Sequence, residues 1–220
     1  MIIDVGLSSC ARVELLEDSM QSFKESVITK HKLRWIIVED EVDDPRRQER
    51  GRKWIVDNFH YFDKIVYSGT KLTHVFCFGE MLKHIESDYF IRWEDDFKFQ
   101  RNIDIDPMFD VLEHDNENMA NISFKRNYCD TSNFMQFIDG RTGDFRLASP
   151  LFSIGPGVFN TKLTREIVDY SGTGECHEYG VLTPSMNKLG YKSYIWGSKE
   201  DPFLLDHVGK NLGFNKGDYK

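Results

Sequence analysis

Three consecutive acids, Glu94-Asp95-Asp96, follow the apolar run Tyr89-Phe90-Ile91 with only Arg92-Trp93 between. On an extended segment, side chains at i and i+2 point the same way. Glu94 and Asp96 are therefore expected on one side, with Asp95 turned to the other. Two carboxylates so placed suit one hard divalent cation, which keeps open positions for diphosphate oxygens. The plainer alternative is a solvated acidic turn. Position along the chain argues against it, because ligands of parallel α/β sheets gather at the carboxyl ends of strands.

The elements that must hold this cluster alternate through the first two thirds of the chain. Ile2 to Leu7 is a short apolar run. Val13, Leu16, Met20, Phe23 and Val27 then recur at steps of three and four, as on an amphipathic helix. Leu33 to Val38 is β-branched and ends in a second acidic pair, Glu39-Asp40. Pro45 marks a helix start, Lys64 to Tyr67 a third strand, and Val75, Phe78, Leu82 and Ile85 another helical stripe. Asp88 to Trp93 is the fourth strand, and Asp106-Pro107 is expected to cap and open the next helix. Strand and helix alternating at this spacing predict right-handed crossovers and a mainly parallel sheet. After about residue 118 the pattern turns mixed and partly antiparallel. Strands are expected at Asn121–Lys125, Asn133–Ile138 and Tyr191–Trp196, with a helix from Glu178 to Leu189.

Composition narrows the function classes. With 28 basic and 36 acidic side chains in 220 residues, the net charge of −8 disfavours a broad nucleic-acid footprint. One local exception is the run Arg46, Arg47, Arg50, Arg52 and Lys53, which reads as a solvated, salt-bridged helix face or as a patch for an anionic acceptor such as nucleic acid. No stretch approaches the length of a membrane helix, and Met-Ile-Ile-Asp-Val-Gly has no leader character. Cys10, Cys77, Cys129 and Cys176 form no metal-ligand spacing and read as free thiols of a cytoplasmic protein.

The segment Ser87 to Phe97 resembles the DxD region of GT-A glycosyltransferases, most nearly family 2, with Glu-Asp-Asp as a variant of the motif. The resemblance implies a Rossmann-like α/β fold with a mixed, mostly parallel central sheet flanked by helices. It also implies transfer of a sugar from a nucleotide-diphosphate sugar, a UDP-sugar first, to an acceptor hydroxyl, with inversion and with Mn²⁺ or Mg²⁺. Arg12-Val13-Glu14 is similar to the family's Arg-rich turn after the first strand, although Cys10-Ala11 stand where Asn is usual. Ser8, Arg12, Glu39, Asp40 and Asp95 are thereby expected at the nucleotide sugar. Asp206-His207-Val208-Gly209 resembles a C-terminal His-x-Gly, which adds His207 to Glu94 and Asp96 as a metal ligand. Glu178, followed twelve residues later by Gly190-Tyr191, resembles the family's Glu-Asp base motif, here Glu178-Tyr179. The catalytic base is then Glu178, with Glu175 second. Residues 1–220 read as one catalytic domain, with 1–117 for the donor and 118–220 for the acceptor.

Two other readings stay open at this point. A sugar-nucleotide pyrophosphorylase shares the sheet and acids but calls for a Gly-rich phosphate loop with a Lys, which Gly6 to Arg12 lacks. A non-catalytic nucleotide- or sugar-binding relative would keep the fold without a working base.

Overall fold

The structure, a computed structural model, describes residues 1–72, 74–124, 138–139, 146–149, 151–172, 178–197 and 202–209; for 74–75, 138–139, 146–149 and 178–179 it describes backbone alone. The chain opens with β1 (Ile2–Ser9) and α1 (Val13–Ser26), followed by the short β2 (Val27–Ile28) and β3 (Lys32–Glu39). Then come α2 (Pro45–Asp57), β4 (Lys64–Tyr67), α3 (His74–Leu82) and β5 (Tyr89–Glu94). After β5 the chain forms β6 (Phe97–Phe99), β7 (Ile103–Asp104), α4 (Asp106–His114) and β8 (Met119–Ser123). The last part holds β9 (Ile138–Asp139), β10 (Arg146–Ser149), β11 (Gly157–Asn160), α5 (Thr161–Ser171), α6 (Thr183–Leu189), β12 (Lys192–Trp196) and β13 (Leu205–His207).

Nine of these strands form one sheet in the order β4-β3-β1-β5-β11-β8-β12-β10-β9. β4, β3, β1 and β5 pair in parallel; β10 and β11 run against the other seven strands. The sheet is thus mixed and mostly parallel, as expected. Its strands read as continuous apolar runs because both faces are covered. One face packs Val5, Ile37, Ile91 and Trp93 against Phe23 of α1 and Phe109 of α4. The other packs Ile36, Val38 and Phe90 against Phe78 and Met81 of α3 and Leu163 of α5.

Two departures from the sequence reading have clear causes. Residues 157–171 carry β11 and α5, which periodicity did not separate because the strand is only four residues long and runs straight into its helix. Asn160 ends one and caps the other, its Oδ1 accepting from the Leu163 N–H at 3.1 Å. Asp106, expected to cap α4, instead accepts from Thr29 Oγ1 at 2.5 Å and the Lys30 N–H at 3.1 Å, tying α4 to the end of β2. Of the strand expected at Asn133–Ile138, residues 133–137 lie outside the described residues.

Candidate active site at the carboxyl ends of β1, β3 and β5

β1 ends at Ser9, and Cys10-Ala11-Arg12 turn the chain into α1. Ala11 holds φ at +56°, and among the described residues it is the one non-glycine with positive φ. Left-handed backbone disfavours a side chain with a Cβ, so something must hold this turn. Part of the answer is Asp95: its Oδ2 accepts the Cys10 N–H at 3.1 Å, while its own N–H donates to Ser8 O at 3.1 Å. The ends of β1 and β5 are thereby stitched together.

Extended backbone stops at Glu94, and Asp95-Asp96 form a turn into β6. The alternation expected of Glu94 and Asp96 therefore gives way to convergence of adjacent acids. Arg12 forks across both: Nε and Nη2 donate to Asp95, and Nη1 donates to Asp96 Oδ2 at 2.9 Å. Burial works against the guanidinium charge, but the two carboxylates outweigh it and keep Arg12 protonated. Burial pushes the Asp95 carboxyl up, against the pull of Arg12. It acts on Asp96 in the same sense, but contacts from His207 and Arg12 override it and hold that carboxyl low. Glu94 lies apart from this fork, with its Oε1 4.0 Å from Nη2 of the fully buried Arg92.

His207 reaches Asp96 from the far end of the chain. β13 pairs antiparallel with β6, opposing His207 to Phe97, and the two rings lie 4.8 Å apart. His207 Nε2 then sits 3.1 Å from Asp96 Oδ2, and the Val208 N–H donates to Asp96 O at 2.9 Å. Gly209 completes the close approach, since a Cβ there would fall 2.4 Å from Asp96 Oδ2. Asp96 Oδ1 is buried and has no hydrogen-bond partner, and buried carboxylate oxygens are rarely left so.

The acids ending β3 occupy opposite faces of the sheet. Glu39 shares a face with Ile37 and is 1% exposed. Neither of its oxygens has a satisfactory partner; Ser9 and the Ala11 amide are near but leave both unsatisfied. Burial pushes this carboxyl up to about 7, opposed by Ser9 and helped by the Asp95 charge. Asp40 turns toward α3, where its Oδ1 accepts from the N–H groups of Glu41 (2.8 Å) and Leu72 (2.6 Å). Ser8 Oγ, between the ends of β3 and β5, is buried without a partner.

Glu175 lies outside the described residues. Glu178 opens a π-helical turn, Glu178–Leu182, that continues into α6, and its side chain lies outside them. Four of the five cations of α2 are engaged within the protein: Arg47 with the carbonyls of Cys10 and Ala11, Arg50 with Glu14, Arg52 with Glu41, and Lys53 with Asp57, while Arg46 is exposed. Sequence reasoning missed the role of Arg47, whose partners are backbone atoms and leave no side-chain signature.

Among the described residues no three His, Cys, Asp or Glu side chains form a closed metal cage. What exists is an open corner, Asp96 with its unpartnered oxygen and His207 beside it. That donor set fits Mg²⁺ or Mn²⁺ bound by one or two protein ligands, with the rest from phosphate and water. No helix among the described residues is long and apolar enough to cross a membrane.

No protein-family model and no curated relative matches the sequence. Solved structures do match. A mannosyltransferase from Pyrobaculum calidifontis, in complex with GDP-Man and Mn²⁺, superposes with TM-score 0.65 at 12% identity, covering 96% of this chain and 58% of its own. TarS 1–349 of S. aureus superposes with TM-score 0.60 at 10% identity, over 95% of this chain and 61% of its own. GalNAc-T7 with UDP, GalNAc and Mn²⁺ gives 0.66 at 8% identity, over 93% and 43%. The chain therefore has the GT-A glycosyltransferase fold expected from its sequence. It spans less than two thirds of the length of each of these proteins.

Proposed function

We propose that this chain is a metal-dependent glycosyltransferase, of family 2 type, that moves a hexosyl or pentosyl group from a nucleotide-diphosphate sugar to an acceptor hydroxyl with inversion. The observation that carries this reading is Asp96, a buried carboxylate with one oxygen unpaired, set between Arg12 and His207 at the carboxyl ends of β1 and β5. The donors in the matched structures, GDP-Man for the mannosyltransferase and UDP-GlcNAc for TarS, support a nucleotide sugar here, a UDP-sugar first.

In this reading Asp96 and His207 hold Mn²⁺ or Mg²⁺, with Glu94 set apart beside Arg92 and outside the ion's ligands; the ion, when bound, neutralises charge on the leaving diphosphate. Arg12 and Asp95 fix the turn beneath the phosphates. Ser8, Glu39 and Asp40 line the nucleoside side, where carboxylates accept hydrogen bonds from ribose hydroxyls or a base N–H. Glu178, or else Glu175, takes the acceptor proton as the hydroxyl oxygen attacks the anomeric carbon. A reducing, cytoplasmic setting suits the free thiols of Cys10 and Cys77.

The test is a thermal-shift panel of UDP- and GDP-sugars with Mn²⁺, Mg²⁺ or chelator, followed by a donor-turnover assay. A ligand that binds the native state raises its apparent stability. One nucleotide sugar should stabilise the chain only with metal and then be turned over. A metal-independent shift without turnover would instead mark a binding protein.

A further inference from the structure

The basic helix α2 remains unexplained by the proposed site, and its contacts point to one use. Arg47 lies half-buried on the face of α2 that meets the turn after β1. Its Nε donates to Ala11 O at 3.2 Å and its Nη2 to Cys10 O at 2.9 Å. A guanidinium presents donors in a rigid fork, so both carbonyls are fixed relative to each other. One helical turn on, Gly51 lets α2 close onto the same peptide. A Cβ at position 51 would fall 2.9 Å from the Cα and Cβ of Ala11 and 2.9 Å from Glu39 Oε1.

The clamped segment is the left-handed turn that precedes Arg12. Its carbonyls face Arg47, and its Cys10 N–H faces Asp95. Residue 12 thus leaves the turn in a direction set from both sides, and its fork lands on Asp95 and Asp96.

We propose that Arg47 and Gly51 are positioning residues: α2 clamps Cys10-Ala11 so that Arg12 is aimed at the acids that end β5. The ligand that Arg12 would help receive, a nucleoside diphosphate with its cation, rests on the proposed function; the clamp itself does not.

The test reads the turn first without any ligand. Native protein is treated with iodoacetamide, and labelling of Cys10 and of buried Cys77 is followed by peptide mass spectrometry. Arg47→Ala should speed Cys10 labelling at least about tenfold by local opening while Cys77 stays slow. Arg47→Lys, with one ammonium for two carbonyls, should fall between. Gly51→Ala should expose Cys10 with Arg47 intact, because the added methyl displaces the turn. Unchanged Cys10 labelling in Arg47→Ala and Gly51→Ala overturns the proposal. Equal acceleration of Cys10 and Cys77 overturns it too, since Arg47 would then support the fold at large.

A second arm measures UDP and GDP affinity with Mn²⁺. Arg47→Ala should weaken binding about tenfold, as small misplacements at a site do, and should add nothing in an Arg12→Ala background. Full additivity overturns an action through Arg12. If the wild-type chain binds neither nucleotide, the proposed function fails, and the labelling result alone decides the clamp.

Discussion

His207 and Asp96 stand 111 positions apart in the chain, and their facing atoms are 3.1 Å apart. Two short strands bring this about, β6 directly after the acidic turn and β13 near the other end of the sequence. Asp96→Asn removes the carboxylate charge while keeping its size. It should abolish the Mn²⁺-induced rise in melting temperature and cut donor turnover at least about 100-fold. His207→Gln should weaken Mn²⁺ affinity about tenfold or more, read by titration calorimetry. Turnover unchanged in Asp96→Asn, or in excess chelator, would exclude the metal role.

Removing Arg12 should cost far more than removing an exposed arginine. Asp95 is 2% exposed and depends on the fork for its charge. Arg12→Ala should destabilise the fold by about 3–5 kcal/mol in urea, the usual penalty for an abandoned buried charge. The double variant Arg12→Met/Asp95→Leu should recover much of that loss. A double variant no more stable than Arg12→Ala would show that packing around the arginine stem, not the charge, carries the effect.

Glu39 imposes a pH dependence of definite sign. Its carboxyl is raised from an ordinary 4.5 to about 7 by burial. The folded chain thus holds this proton more tightly than the unfolded one. Its contribution to stability is complete below about pH 4.5 and is lost as pH rises through about 7. Glu39→Gln should flatten the stability profile in that window and leave the variant relatively more stable at pH 8, by up to about 3 kcal/mol. Parallel pH profiles for the two proteins in urea would refute the assignment.

Gly209 offers a subtler probe. A methyl group there would sit 2.4 Å from Asp96 Oδ2, so the carboxylate or the segment must shift. Gly209→Ala should lower Mn²⁺ affinity about tenfold while the urea midpoint moves little, because the displaced atoms lie outside the main sheet. A large loss of stability with metal affinity intact would place the strain elsewhere.

The parallel half of the fold was legible because its signals are local. Strands β1, β3, β4 and β5 are apolar runs, and α1 and α3 carry clear stripes at steps of three and four. β11 with α5 was not legible, since four buried residues merging into a helix carry no period of their own. At the site, the residue types were readable and their pairing was not. Glu94 and Asp96 looked like partners under a period of two, but a turn that begins at Asp95 cancels that period. The contact of Asp96 with His207 depends on a register across more than a hundred residues, which no window of sequence contains. The role of Arg47, seen in the sequence only as one cation of a basic run, was hidden for another reason: it acts on main-chain oxygens, which every residue possesses.

The pairing of β13 with β6 also bears on how the molecule is completed. Every strand of the nine-stranded sheet precedes position 197. A chain cut after Trp196 would keep that sheet, the Arg12 fork and Asp96, yet lose the imidazole. Synthesis from the first residue onward would likewise complete the strands of that sheet before His207 is made and can reach Asp96. Under the proposed metal role, response to Mn²⁺ reports that His207 is present and seated on Asp96, and a product clipped after Trp196 would be folded but silent.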